Sequence, residues 1–167
     1  TIEGRGGKVA HLSGENGYSF PGIGHFSRSD AFSFSIWLRP AELAERQVVL
    51  HKSKAPIDAG SRGYELLLEN GHIAFGLHHM WPGNSLKVAT RQAIAAGAWT
   101  HVAVCYDGSS KSAGLHLFIN GVAAELDVIR DDLCKDITYG GGEPELALGP
   151  RVPGTGFNKG GADGLRR

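Results

Sequence analysis

YELLLENGHIAFGLHH, residues 64–79, places an Asn-Gly pair between two runs that alternate apolar and polar side chains. Asn70-Gly71 supplies the two positive-φ residues of a type I′ turn, and a two-residue loop of that type fixes the register of the strands it joins. The cross-strand pairs can then be written down: Leu68 with Ile73, Leu66 with Phe75 and Tyr64 with Leu77 on one face, Glu69 with His72 and Glu65 with Gly76 on the other. Every apolar pair falls on the same side, so the first face is expected in a core and the second in solvent.

The same logic organises WTHVAVCYDGSSKSAGLHLFINGVAAEL, residues 99–126. Asn120-Gly121 closes a second hairpin, pairing Ile119 with Val122, Leu117 with Ala124 and Leu115 with Leu126, with His116 facing Glu125 outside. Upstream, Thr100, Val102, Val104 and Tyr106 line one face of a strand, and the polar loop DGSSKSAG returns the chain antiparallel to it. FSFSIWLRP (residues 32–40) puts Phe32, Phe34, Ile36 and Leu38 on one face until Pro40 removes a ladder donor. Leu66, Leu68, Ile73, Phe75, Leu115, Leu117 and Ile119 are the expected core.

Further strands are expected at KVAHLSG, GYSFPG, RQVVLHKS, SLKVATRQ and ELALGP. The total of about ten exceeds what one open twisted sheet holds comfortably, which predicts two packed sheets. PAELAER (Pro40–Arg46) is the one stretch that tolerates a turn or two of helix, and it reads as a connector. The 25 glycines fit an all-β chain rich in turns.

Composition sets the outer limits. A chain of 167 residues is enough for a single domain that buries roughly 70% of its unfolded surface. Lys plus Arg equals Asp plus Glu at 17 each, which removes the long-range field that attracts nucleic acid or an anionic membrane. No apolar run approaches the roughly 20 residues of a membrane helix, so membrane insertion is not expected. A chain that opens on Thr1 and closes on Leu165-Arg166-Arg167 is expected to be a piece of a larger protein. Ile2-Glu3-Gly4-Arg5 reads either as a site used to remove tags or as a native glycine-rich lead-in.

In order and spacing, FSFSIWLRP, WTHVAVCYDG and LHLFINGV resemble the laminin G-like branch of the concanavalin A-like lectin/glucanase superfamily. The resemblance covers nearly all of residues 1–167 and implies a jelly-roll sandwich of two antiparallel sheets, one of them concave. DAGSRGYELLLENG followed by HMWPGN is similar to the version of this domain embedded in large planctomycete proteins beside cytochrome c-like haem domains. Such a parent implies an extracytoplasmic setting, periplasmic or cell-surface, with haem held only by neighbouring domains. In these domains the last strand returns near a GGxxDExRxxxR run. GGADGLRR (Gly160–Arg167) begins that run without finishing it, so the closing strand reads as truncated or altered.

The chemistry of the chain narrows what such a sandwich does. A retaining glucanase needs two carboxylates about 5 to 5.5 Å apart. The strand signature that supplies them is missing, and the nearest approximations, Glu125-x-Asp127 and Glu143-Pro-Glu145, suit solvent-facing positions. GTGFNKGG lacks the following helix that a phosphate loop requires. No Cys-x-x-Cys-His attaches haem within the chain. Asp107, Asn120, Asp127, Asp131 and Asp132 offer hard oxygen ligands, so this region is either a calcium site or a solvated acidic loop. His78 and His79 are adjacent on a strand and point to opposite faces, which removes them as a joint zinc ligand. Cys105 and Cys134 are open to two readings, one disulfide or two free thiols.

Sugar recognition uses an aromatic platform beside amides, guanidinium groups and carboxylates. Arg62, Tyr64, His78, Trp81 and Asn84 flank one hairpin and are the candidate ligand-binding set; the bland alternative puts Tyr64 in the core and Trp81 under its own loop. The sequence therefore points to a non-catalytic carbohydrate- or protein-binding module of a larger exported protein, with a glycan, a protein or neighbouring domains of the same chain as partner. The alternatives are a structural spacer beside haem or catalytic domains, and a degenerate glycoside hydrolase.

Overall fold

Strands form wherever the period-two pattern runs between turn signals, and the computed structural model, which describes residues 2–4, 6–13, 16–54 and 62–149, contains thirteen of them. They are β1 (Ile2–Gly4), β2 (Gly7–Val9), β3 (Tyr18–Phe20), β4 (Phe32–Leu38), β5 (Gln47–Ser53), β6 (Gly63–Glu69) and β7 (His72–Met80). These are followed by β8 (Asn84–Thr90), β9 (Thr100–Tyr106), β10 (Leu115–Ile119), β11 (Val122–Ala123), β12 (Leu126–Asp131) and β13 (Leu146–Leu148). Two antiparallel sheets result, one of four strands in the order β11-β10-β9-β4 and one of seven in the order β12-β8-β7-β6-β5-β13-β3, with β1 and β2 forming a separate ribbon.

The central hairpin has the register its turn dictates. Leu68 pairs with Ile73, Leu66 with Phe75, Tyr64 with Leu77, Glu65 with Gly76 and Glu69 with His72. Asn70 and Gly71 have φ values of 50° and 86°, both positive as a type I′ turn demands. Leu66, Leu68, Ile73, Phe75 and Leu77 pack against Phe32, Val102, Val104, Leu115 and Leu117 of the facing sheet. Phe32 is the aromatic hinge of this core, stacked on Phe26 at 4.3 Å between ring centroids and edge-on to Phe75 at 6.2 Å.

Two expectations are corrected. Leu126 does not continue the β10–β11 hairpin: Leu115 pairs with Tyr106, while Leu126 pairs with Thr90 of the other sheet. After Ala124 the chain crosses between sheets, where a six-residue β12 finds the open edge of β8. Glu125 is thereby drawn away from His116; its carbonyl accepts the Arg91 N–H at 2.9 Å. Ile119, at the end of β10 beside its turn, is half-buried rather than buried. Pro40–Arg46 is a connector, as its sequence reads, and takes up none of the helix it tolerates; the carbonyls of Ala44 and Glu45 both accept the Asn70 N–H at the β6–β7 turn. The only helical element among the described residues is a 3-10 turn, Ser112–Gly114. The expected closing run, Gly160–Arg167, lies outside the described residues.

Candidate functional site

The face of the seven-stranded sheet turned away from the core is also buried at its centre. Leu67 and Ala74 are fully buried there and, with Val48 and Ala89, make a second small apolar cluster. The side chains that close over it are polar or charged. Glu65 and Glu69 extend from β6, His78 from β7, Lys87 from β8, and Arg46 comes from the irregular segment before β5.

These groups form one connected layer. Arg46 bridges both carboxylates, its terminal nitrogen 3.2 Å from Glu65 Oε2 and its Nε 3.9 Å from Glu69 Oε1. Lys87 Nζ donates to Glu69 Oε1 at 2.8 Å and lies 5.2 Å from the centroid of the Trp81 ring. His78 Nε2 is 3.4 Å from Glu65 Oε1, an ion-pair distance rather than an aligned hydrogen bond, and its ring meets Trp81 edge-on at 5.4 Å. The imidazole reaches Glu65 by lying over Gly76, the cross-strand partner of Glu65: a Cβ at Gly76 would come 2.6 Å from His78 Nε2.

Burial alone pushes the Glu65 carboxyl up, but the His78 ring beside it, with the charges of Arg46 and Lys87 behind, outweighs burial and holds the group below the usual glutamate range. Glu65 is therefore an ionised, buried carboxylate. The buried Nδ1 of His78 has no hydrogen-bond partner among the described residues. Trp81 is half-buried and caps this end of the layer.

Of the five candidate binding residues, the structure brings His78 and Trp81 together and separates the rest. Tyr64 points into the sandwich core, 3% exposed, where its hydroxyl donates to the Gly24 carbonyl at 2.9 Å and burial pushes the phenol pKa up. Arg62 turns to His79, 3.5 Å from its Nε2, while its carbonyl accepts the Tyr139 hydroxyl. Asn84 is a clasp: its Oδ1 accepts the N–H groups of Cys134 and Lys135, and its amide nitrogen donates to Cys134 Sγ. Cys134 and Cys105 are both free thiols.

The five candidate calcium ligands are dispersed. Asp107 accepts the Ser109 N–H, which together with the Ser109 side chain holds its carboxyl low. Asn120 occupies the hairpin turn and accepts the His101 N–H, while Asp127 pairs with Arg91 at 2.8 Å. Asp131 accepts both the N–H and the hydroxyl of Ser112, and Asp132 is exposed. Among the described residues no three His, Cys, Asp or Glu side chains are grouped to hold a metal ion.

Arg46, Glu65, Glu69 and Lys87 were hidden from the sequence reading because polar residues alternating along a strand are taken as a solvated face. The available signal was their coincidence. Glu65 and Glu69 share one face of β6, and Gly76, opposite Glu65, offers room where a side chain would otherwise stand.

A family model described as the concanavalin A-like lectin/glucanases superfamily, of laminin G type, matches residues 12–157. No curated protein matches the chain. Among solved structures, the chain is similar to a Ruminococcus gnavus IT-sialidase CBM40 bound to α2,3-sialyllactose, with 18% identity and a TM-score of 0.56, over 74% of this chain and 65% of that one. It is also similar to domains LG4-5 of the mouse laminin α1 chain, with 15% identity and a TM-score of 0.53, over 92% of this chain and 38% of that one. The chain thus spans less than two thirds of either structure, and the likeness is one of fold.

Proposed function

Because the chain belongs to the concanavalin A-like lectin/glucanases superfamily, we propose that it is a non-catalytic carbohydrate-binding module whose ligand meets the outer face of the seven-stranded sheet at Trp81. The observation that carries this reading is the setting of the Trp81 ring, held between the His78 edge and the Lys87 ammonium at the border of a polar layer. An indole offers a sugar ring an apolar surface, and the adjoining layer offers donors and acceptors for hydroxyls. As a fold relative, the sialyllactose-bound sialidase module supports a saccharide, in the broad sense, as the ligand. The non-catalytic part of the reading rests on the sequence, which lacks the strand signature that supplies a retaining glucanase with two carboxylates about 5 to 5.5 Å apart.

A position in a larger exported protein belongs to the same proposal and rests on the sequence motifs; among the described residues no helix is long and apolar enough to cross a membrane. Glycan-array binding of the wild-type protein and of Trp81→Ala tests the site. Replacement of the indole is expected to weaken binding by about 1–3 kcal/mol, the scale of one aromatic anchor, with chelator making no difference. A folded Trp81→Ala protein with undiminished binding overturns the location, and sugar released from an oligosaccharide by the wild type overturns the non-catalytic assignment.

A further inference from the structure

Resting on the carbohydrate-binding reading, we infer that the ligand is an uncharged saccharide, received through its hydroxyls, and that Glu69 turns away sugars carrying a carboxylate or sulfate. An acidic sugar needs a cation whose partner is the sugar itself. The two permanent cations of the layer are instead matched by two carboxylates of the same chain: Arg46 stands 3.2 Å from Glu65, and Lys87 2.8 Å from Glu69. The permanent charges of the layer are balanced before any ligand arrives.

Exposure decides which sign the ligand meets first. The Glu69 side chain is 28% exposed, against 20% for Arg46, 11% for Glu65 and 9% for Lys87. The most open polar group is thus a carboxylate, which accepts hydroxyl hydrogen bonds and repels a second anion. Lys87 reinforces this arrangement, since its ammonium is held between Glu69 and the Trp81 ring. Arg62, the remaining cation of this hairpin's start, faces His79 instead. A neutral ring resting on Trp81 would thus present hydroxyls to Glu69 with no charge left uncompensated.

The test is an array carrying neutral oligosaccharides beside their sialylated, uronic and sulfated counterparts, probed with the wild type and with Glu69→Gln. The wild type is expected to bind neutral glycans at least about tenfold more tightly than their acidic counterparts. Glu69→Gln releases the Lys87 charge, so it is expected to lose neutral-sugar affinity about tenfold and to gain binding of acidic sugars that weakens as salt is raised. Thermal melting of both proteins reports whether the variant is folded. Preferential binding of acidic glycans by the wild type, lost in Trp81→Ala, overturns this inference and leaves the carbohydrate-binding reading intact. No saccharide bound at all overturns both. A folded Glu69→Gln protein with wild-type preference overturns the assignment to Glu69.

Discussion

At Gly76 the absence of a side chain is what allows His78 to reach Glu65. A Cβ there would sit 2.6 Å from Nε2 and 2.7 Å from Cε1 of the imidazole, and 3.2 Å from the Leu86 carbonyl oxygen. Gly76→Ala is expected to displace the ring and destabilise the protein by about 1–3 kcal/mol, the usual cost of overpacking; denaturant midpoints of the two proteins measure it. Glu65 makes a second prediction through pH. Its carboxyl has a lower pKa folded than unfolded, so the stability it contributes is complete above the unfolded value of about 4.3 and is lost as pH falls through the lower folded value. Glu65→Gln should therefore flatten the acid limb of the stability curve below about pH 4 relative to the wild type. An acid limb of unchanged steepness would show that the ion pairs add nothing to the folded state.

The two Asn-Gly hairpins separate backbone strain from packing. Gly71 and Gly121 have nearly the same φ, 86° and 83°, but a Cβ at Gly71 would stand 3.1 Å from Leu43 Cδ1 and 3.2 Å from Ala93 Cβ, whereas at Gly121 nothing lies within 4 Å. Gly121→Ala is expected to cost about 1 kcal/mol from positive φ alone, and Gly71→Ala about 1 kcal/mol more from crowding. Equal losses in chemical denaturation would mean that Leu43 and Ala93 move aside freely. These hairpins were legible in the sequence because turn chemistry is local: two positive-φ residues fix a register, and the register sorts Leu66 from Glu65. What followed Ala124 was not legible, since alternation continues through Leu126 whichever sheet receives it. The buried polar layer escaped for a related reason. Period two tells which face Glu65, His78 and Lys87 share, but only their contacts with Arg46 and with one another show that the centre of this face is covered.

Across the whole molecule, one of the acidic residues that suggested calcium, Asp131, joins the two sheets of the sandwich. Asp131 ends β12 in the seven-stranded sheet and accepts the Ser112 N–H and hydroxyl, each at 2.8 Å, in the 3-10 turn that leads into β10 of the other sheet. A second tie runs through Tyr106 at the end of β9, whose hydroxyl donates to the Arg28 carbonyl at 2.6 Å and accepts the Ser110 N–H at 2.7 Å. Asp127 meanwhile pairs with Arg91, and Asp107 is turned to its own loop, so neither is oriented with Asp131 toward a common centre. A carboxylate holding two donors between sheets stabilises by about 1.5–3 kcal/mol for each charged hydrogen bond at the upper end, less where water competes. Asp131→Ala is therefore expected to lower stability by about 1–3 kcal/mol, and to do so equally with calcium added and with chelator present. The wild type is likewise expected to melt at one temperature in both conditions, because a cation bound to the folded state would raise the midpoint as its concentration rose. A calcium-dependent rise in the wild-type midpoint that vanishes in Asp131→Ala would show that this carboxylate is a metal ligand and not a strap.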